Sequence, residues 1–170
     1  MFSRAVYKKS ATTSYYYIPT GIIEFHPIPR ITSRTCFDKN GAEQCFQENK
    51  KFRAPETNYY EPPTNYYFVF TSHVWNKLVW AFTKISVRKK EKNSGQESLE
   101  AEFYDYGAVQ VDSGSENAGR NFITVTFTVL MQQGDEIWLE NDMPNSLMFG
   151  PEQYQCEWMI YKLFPNNSPI

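Results

Sequence analysis

Residues 66–75 read Tyr66-Tyr67-Phe68-Val69-Phe70-Thr71-Ser72-His73-Val74-Trp75, and this stretch decides the fold class. In an extended chain successive side chains alternate. Tyr66, Phe68, Phe70, Ser72 and Val74 therefore take one face, and Tyr67, Val69, Thr71, His73 and Trp75 the other. Aromatic and β-branched residues fill both sets, which suits a pleated surface rather than a helical period. Both faces are largely apolar, so the spacing predicts a central strand covered on both sides.

Strand signals continue upstream. Pro55-Glu56-Thr57-Asn58-Tyr59-Tyr60-Glu61 is nearly repeated as Pro62-Pro63-Thr64-Asn65-Tyr66-Tyr67-Phe68. Two copies are too few for a repeat architecture; the first reads as a loop insertion and the second as the lead into the strand. Residues 36–53 read as a hairpin closed by Asn40-Gly41. Gly21 to Phe25 and Phe2 to Tyr7 read as earlier strands, with Pro27 and Pro29 ending regular pairing.

Downstream, Leu78 to Val87 gives a strand, Arg88 to Gly95 a basic, polar turn, and residues 100–111 another strand. Asp112 to Gly119 is a loop rich in Ser, Gly and Asn. From Phe122 to Gln132 the residues alternate: Ile123, Val125, Phe127, Val129 and Met131 on one face, Thr124, Thr126 and Thr128 on the other. Gly134-Asp135 turns the chain into a strand at Glu136 to Leu139, a loop runs from Glu140 to Glu152, and a last strand carries Tyr154, Cys156, Trp158 and Ile160. About ten short strands without a helix predict one all-β domain over residues 1–170, a sandwich or a barrel. Bare sheet edges invite aggregation, so the pattern also predicts an oligomer.

Bulk properties narrow the function classes. The 170 residues suffice for one sizeable core, with 41% hydrophobic and 17% aromatic residues. A formal charge of −2 makes no field for nucleic acid. No apolar run approaches the roughly 18 residues of a membrane helix. No signal peptide opens the chain; a secreted product would have lost it before Met1. Asn166-Asn167-Ser168 fits the glycosylation pattern, although Pro169 follows.

Catalytic patterns are absent. The two histidines, His26 and His73, have no metal-ligand partner at i+2 or i+4, and neither a Gly-x-Ser-x-Gly elbow nor a phosphate-cradling Gly-rich loop occurs. Cys156 sits among apolar alternates as an inert buried thiol. Cys36 and Cys45 flank the Asn40-Gly41 turn; they either join across the hairpin, as suits an oxidising compartment, or stay free. Glu97, Glu100, Glu102 and Asp105 read as a solvated outer face, and the run Arg88-Lys89-Lys90-Glu91-Lys92 as a solvated tip or a contact for anionic surfaces. Tyr15-Tyr16-Tyr17 and the two Asn-Tyr-Tyr copies suit a ligand surface, a subunit contact or a core rim alike.

Gln132-Gln133-Gly134-Asp135-Glu136-Ile137-Trp138-Leu139-Glu140 resembles the penultimate strand pair of the globular head of complement component 1q, which shares a jelly-roll superfamily with tumour necrosis factor. Phe2-Ser3-Arg4-Ala5-Val6 is similar to that family's opening strand. Ile22 to Phe25 is similar to its next strand, and Phe46 to Pro55 to the stretch ending in Phe-x-x-Pro. Tyr66 to Phe70 resembles its aromatic strand and Trp158-Met159-Ile160-Tyr161 its closing strand. The order and spacing cover almost the whole chain. There are departures: Thr64 or Asn65 stands where the family has Gly, and Gln155-Cys156-Glu157 where it has Phe-Ser-Gly.

The resemblance implies a tumour necrosis factor-like jelly-roll sandwich acting as a trimer, with no enzymatic activity and with ligands held by surface loops. Carried over by position, it implies a three-fold interface of Tyr67, Val69, Thr71, His73, Thr124, Gln155, Glu157, Met159 and Tyr161. Gln155 and Glu157 make that interface more polar than the family's. A buried Glu in three copies is costly unless paired or protonated. Either His73 and Glu157 form a pH-sensitive cluster, or Glu157 sits in water at the rim and His73 is simply packed.

Some members of the resembled family bind calcium through loop carboxylates. Asp112, Glu116, Asp135, Glu140 and Asp142 supply the right oxygen ligands but no recognisable calcium loop. Two functions follow: a secreted recognition or adaptor head, in a homotrimer or heterotrimer of similar heads binding a protein or glycan ligand, or a structural subunit of a matrix, coat or adhesive assembly.

Overall fold

The computed structural model describes residues 2–6, 16–27, 46–47, 50–56, 60–75, 83–105, 120–144, 146–149 and 156–163. Thirteen strands cross this part of the chain: β1 Phe2–Val6, β2 Tyr16–Tyr17, β3 Gly21–Ile22, β4 His26–Pro27, β5 Phe46–Gln47, β6 Lys51–Arg53, β7 Thr64–Trp75, β8 Thr83–Lys90, β9 Glu97–Asp105, β10 Arg120–Met131, β11 Glu136–Asn141, β12 Leu147–Phe149 and β13 Glu157–Lys162. The described residues contain no helix. The excess over about ten strands comes from two-residue pairings such as β2 and β4, too short to carry an alternating pattern.

The strands form two antiparallel sheets packed as a jelly-roll sandwich. In the first, β10 pairs with β7 over its full length, while β13 and then β12 share the other edge of β7; β1 and β4 continue beyond β13, and β2 beyond β12. In the second, the order is β5-β6-β11-β8-β9, with β3 also on β11. The period-two reading is realised over residues 66–72 and 123–131. Phe68 and Phe70 are wholly buried, Val125 and Val129 nearly so, while Tyr67, Val69 and Thr71 are half-buried and Thr124, Thr126 and Thr128 exposed.

Aromatic rings bridge the sheets. Phe68 stacks on Phe127 (centroids 5.0 Å apart) and on Trp158 (5.7 Å), and meets Phe52 edge-on at 6.2 Å. Phe25 closes the other end of the row against Trp158 at 5.3 Å and Phe70 at 6.1 Å. Full burial of each such side chain stabilises the fold by roughly 2–3 kcal/mol.

The structure changes several sequence expectations. His26 and Pro27 pair with Val6 and Ala5, so Pro27 is itself paired as the last residue of β4, and Arg88 to Lys90 extend β8 instead of opening a turn. β4 is a sheet edge, where a residue without an N–H is tolerated. Phe46 pairs with Phe52 and Gln47 with Lys51, which puts a tight hairpin inside the stretch assigned to the Asn40-Gly41 turn. Asn40-Gly41, Cys36 and Cys45 lie outside the described residues. The predicted loop from Glu140 to Glu152 contains β12, whose Met148 and Phe149 pair with Tyr17 and Tyr16. Finally, β7 is central but covered on one face only within the chain: Tyr67, Val69 and Thr71 are half-buried.

Candidate subunit interface and loop end

The outer face of the first sheet is built row by row from strand register. Thr124, Thr71 and Glu157 stand side by side on β10, β7 and β13. Thr126, Val69 and Met159 form the next row, and Thr128, Tyr67 and Tyr161 the third. A fourth row begins with Leu130 opposite Asn65 and is completed by Leu163, whose N–H donates to the Asn65 carbonyl at 2.9 Å. The face thus grades from polar at the Glu157 row to apolar at the Leu130 row.

Its surface is chemically mixed. The rings of Tyr67 and Tyr161 lie 6.1 Å apart, and the Tyr161 hydroxyl reaches the Met159 sulfur at 3.9 Å. Leu130 is 53% exposed and Leu163 42%. Glu157 is only 9% exposed, so it does not sit in water at a rim. Seven of the nine positions expected at an interface therefore share one face. The backbone of His73 stands in the adjoining row, opposite Phe122 and Met148, and Gln155 lies outside the described residues. Continuing the period from Thr124 would have added Thr126 and Thr128. His26, in the Glu157 row across Val6, left no local signal, because only the β1–β4 pairing puts it there.

The same registers separate the two ends of the sandwich. Val6, Trp75, Thr83, Asp105 and Arg120, which open onto residues 7–15, 76–82 and 106–119, lie at one end. Phe2, Thr64, Lys90, Glu97, Met131 and Lys162 lie at the other.

On the second sheet several charged side chains are paired within the fold. Glu140 receives Arg88 Nε at 3.2 Å and Trp138 Nε1 at 3.0 Å, and Lys51 Nζ lies 4.2 Å from the centre of the Trp138 ring. Asp142 accepts from the Ser86 hydroxyl and lies 3.9 Å from Lys84 Nζ. Lys84 also pairs with Glu102 at 3.3 Å, a contact that raises its pKa. Glu97, Glu100 and Glu102 are exposed on edge strand β9, where charge discourages edge-to-edge pairing.

In the basic run, Lys89 contacts Asp135 at 3.7 Å and Lys92 contacts Glu56 at 2.6 Å. Asp135, Glu140 and Asp142 are thus engaged within the fold, while Asp112 and Glu116 lie outside the described residues. No cluster of three metal-ligating side chains occurs among the described residues.

The tyrosine-rich stretches divide. Tyr66 is a core residue, Tyr67 belongs to the outer face and Tyr16-Tyr17 forms β2. Tyr60, in the first copy of the repeat, is 83% exposed. Cys156 is fully buried, and desolvation pushes its thiol pKa well above the usual range although Ser72 hydrogen-bonds to it.

No protein-family model matches the sequence, and no curated protein matches it. Among solved structures, the globular domain of zebrafish complement 1qA protein is similar over 97% of this chain and 98% of its own, at 14% identity and a TM-score of 0.52. The Eiger TNF of S. frugiperda is similar over 100% of this chain and 96% of its own, at 8% identity and a TM-score of 0.61. The two-sheet topology and these likenesses agree: the chain has the jelly-roll fold shared by complement 1q heads and tumour necrosis factors.

Proposed function

We propose that the chain is a non-enzymatic, extracellular recognition head that assembles as a trimer through the outer face of the β10-β7-β13 sheet. A protein or glycan ligand is held by surface loops. The observation that carries this reading is the row structure of that face. Tyr67, Val69, Met159 and Tyr161 form a contiguous, half-buried apolar centre beside exposed threonines, on a fold that zebrafish complement 1qA and Eiger TNF share. Such a centre with a polar rim is the anatomy of a protein interface. Three linked heads convert weak single contacts into avidity.

Sedimentation equilibrium tests the assembly. A discrete species of three times the 20.0 kDa chain is expected, and Val69→Lys is expected to reduce it to one chain with the sheet fold retained. A monomer at every concentration would refute the trimer. Open-ended growth would favour the structural-subunit role, with the exposed Tyr60 as a contact. Ligand class is read from binding of the trimer to glycan and protein arrays, with and without calcium.

A further inference from the structure

At the end of the sandwich where Thr64, Lys90, Glu97 and Met131 lie, three connections meet. Residues 54–63 join β6 to β7, 91–96 join β8 to β9, and 132–135 join β10 to β11. Backbone hydrogen bonds link Ala54 to Gly134 and to Asp135. Asp135 in turn holds the N–H groups of Lys92 and Gln132. Glu91 and Gln96 close their own turn at 3.0 Å, and Gly95 donates back to Glu91 at 2.8 Å. Loops anchored in this way lose little freedom when a ligand arrives.

The side chains on these connections are mostly polar. Asn93 donates Nδ2–H to Gln132 Oε1 at 3.2 Å. Lys92 pairs with Glu56 at 2.6 Å, and both side chains cross Gly134 where a Cβ would stand. Glu61 takes Lys162 at 3.0 Å and a hydrogen bond from Gln133. Glu56 and Glu61 thus pin the segment that carries Tyr60 to the 132–135 turn. Among the described residues Tyr60 is the most exposed large apolar side chain.

The acids of these connections are matched: Glu56 by Lys92, Glu61 by Lys162 and Asp135 by Lys89. Glu91 remains, accepting from the Ser94 hydroxyl at 3.0 Å. Such a surface offers little to a strongly charged ligand. The bond between Asn93 and Gln132 leaves further donors and acceptors on both amides. A sugar ring matches this set: its hydroxyls exchange hydrogen bonds with amides, and its C–H face packs on an exposed aromatic ring.

We infer that this loop platform binds a neutral saccharide, with Tyr60 as the stacking residue and Asn93 and Gln132 as the hydrogen-bonding pair. The inference rests on the recognition-head reading and names the ligand class and the loops that take it. A three-fold axis sets the three copies of the platform at one level, so a repeated glycan can engage more than one.

An array of immobilised neutral, sialylated and sulfated oligosaccharides, probed with the full chain, tests this. The strongest neutral binder is then titrated in solution, with tryptophan fluorescence to follow folding. Neutral glycans are expected to bind, and charged ones no better. Tyr60→Ala and the double variant Asn93→Ala, Gln132→Ala are each expected to weaken binding by about tenfold or more. Tyr60→Phe keeps the ring and is expected to bind like the parent. If one of the weakened variants does not fold, the other carries the test.

No neutral glycan bound, binding confined to sialylated or sulfated glycans, or full affinity in both weakened variants would each overturn the inference. A trimer that takes a protein but no neutral glycan leaves the recognition head standing and removes only this inference. A chain that neither assembles nor binds any glycan or protein removes both.

Discussion

The carboxylate of Asp135 accepts the backbone N–H of Lys92 at 3.1 Å, joining two turns 43 residues apart. Its second oxygen accepts the Gln132 N–H at 2.9 Å and lies 3.7 Å from Lys89 Nζ. Around it, Ala54 donates its N–H to the Asp135 carbonyl at 2.8 Å, and Gly134 donates to the Ala54 carbonyl at 2.9 Å. Gly134 has φ +85°, in the left-handed region, so the Gly-Asp turn needs both of its residues.

Asp135→Ala leaves two backbone N–H groups and a nearly buried ammonium without their shared acceptor. The expected loss is about 2–4 kcal/mol of unfolding free energy, measured by urea denaturation. Asp135→Asn keeps one acceptor oxygen and is expected to lose less.

Phe68 is fully buried and touches rings from both sheets, Phe52 on one side and Phe127 and Trp158 on the other. Phe68→Ala opens a cavity at the sheet-to-sheet contact, with an expected cost of about 3–5 kcal/mol. That is a large share of a typical domain's stability, so the thermal midpoint is expected to fall sharply. Leu99→Ala, on an exposed side chain of edge strand β9 in the second sheet, serves as the contrasting variant and is expected to change the midpoint little.

Alkaline pH is expected to destabilise the fold. Burial raises the phenol of Tyr66 well above its ordinary range, with Glu61 adding to the effect, and burial likewise raises the Cys156 thiol. In the unfolded chain both groups lose their protons at ordinary values; in the folded chain they keep them. Stability from these groups is complete below the unfolded values and declines as pH rises beyond them. Denaturation midpoints across alkaline pH check the slope, and Tyr66→Phe is expected to flatten it. Alkylation followed by peptide mapping is expected to label Cys156 only after unfolding.

Acid acts through a different pair. Lys162 Nζ lies 3.0 Å from the Glu61 carboxylate, tying the end of β13 to the segment before β7. The Lys162 hydrogen bond is the largest cause of a lowered Glu61 pKa. Its stabilisation is present above the carboxylate's ordinary value and lost as pH falls through the lowered one. Lys162→Met is expected to cost about 0.5–1 kcal/mol near neutrality and to bring the variant and parent together at low pH, read from paired urea titrations.

Alternation of side chains is a local property, and it sufficed to read β7, β10 and β13 and their inward faces from the sequence. It also showed that Cys156 is buried and that Gly134-Asp135 turns the chain. Seven of the nine expected face positions follow from the same rule, since parity along a strand is fixed once one buried residue is known. Pairing between distant segments has no such signature. Tyr17 meets Met148, Val6 meets His26, and Lys92 reaches Asp135 only because strands distant in sequence become neighbours within a sheet. Two-residue strands carry no period, an edge strand accepts Pro27, and the partner of a charged side chain is set by which strands become neighbours. The buried side of each long strand follows from its own residues; which strands lie side by side, and so which outward residues make one surface, follows only from long-range pairing in the folded chain.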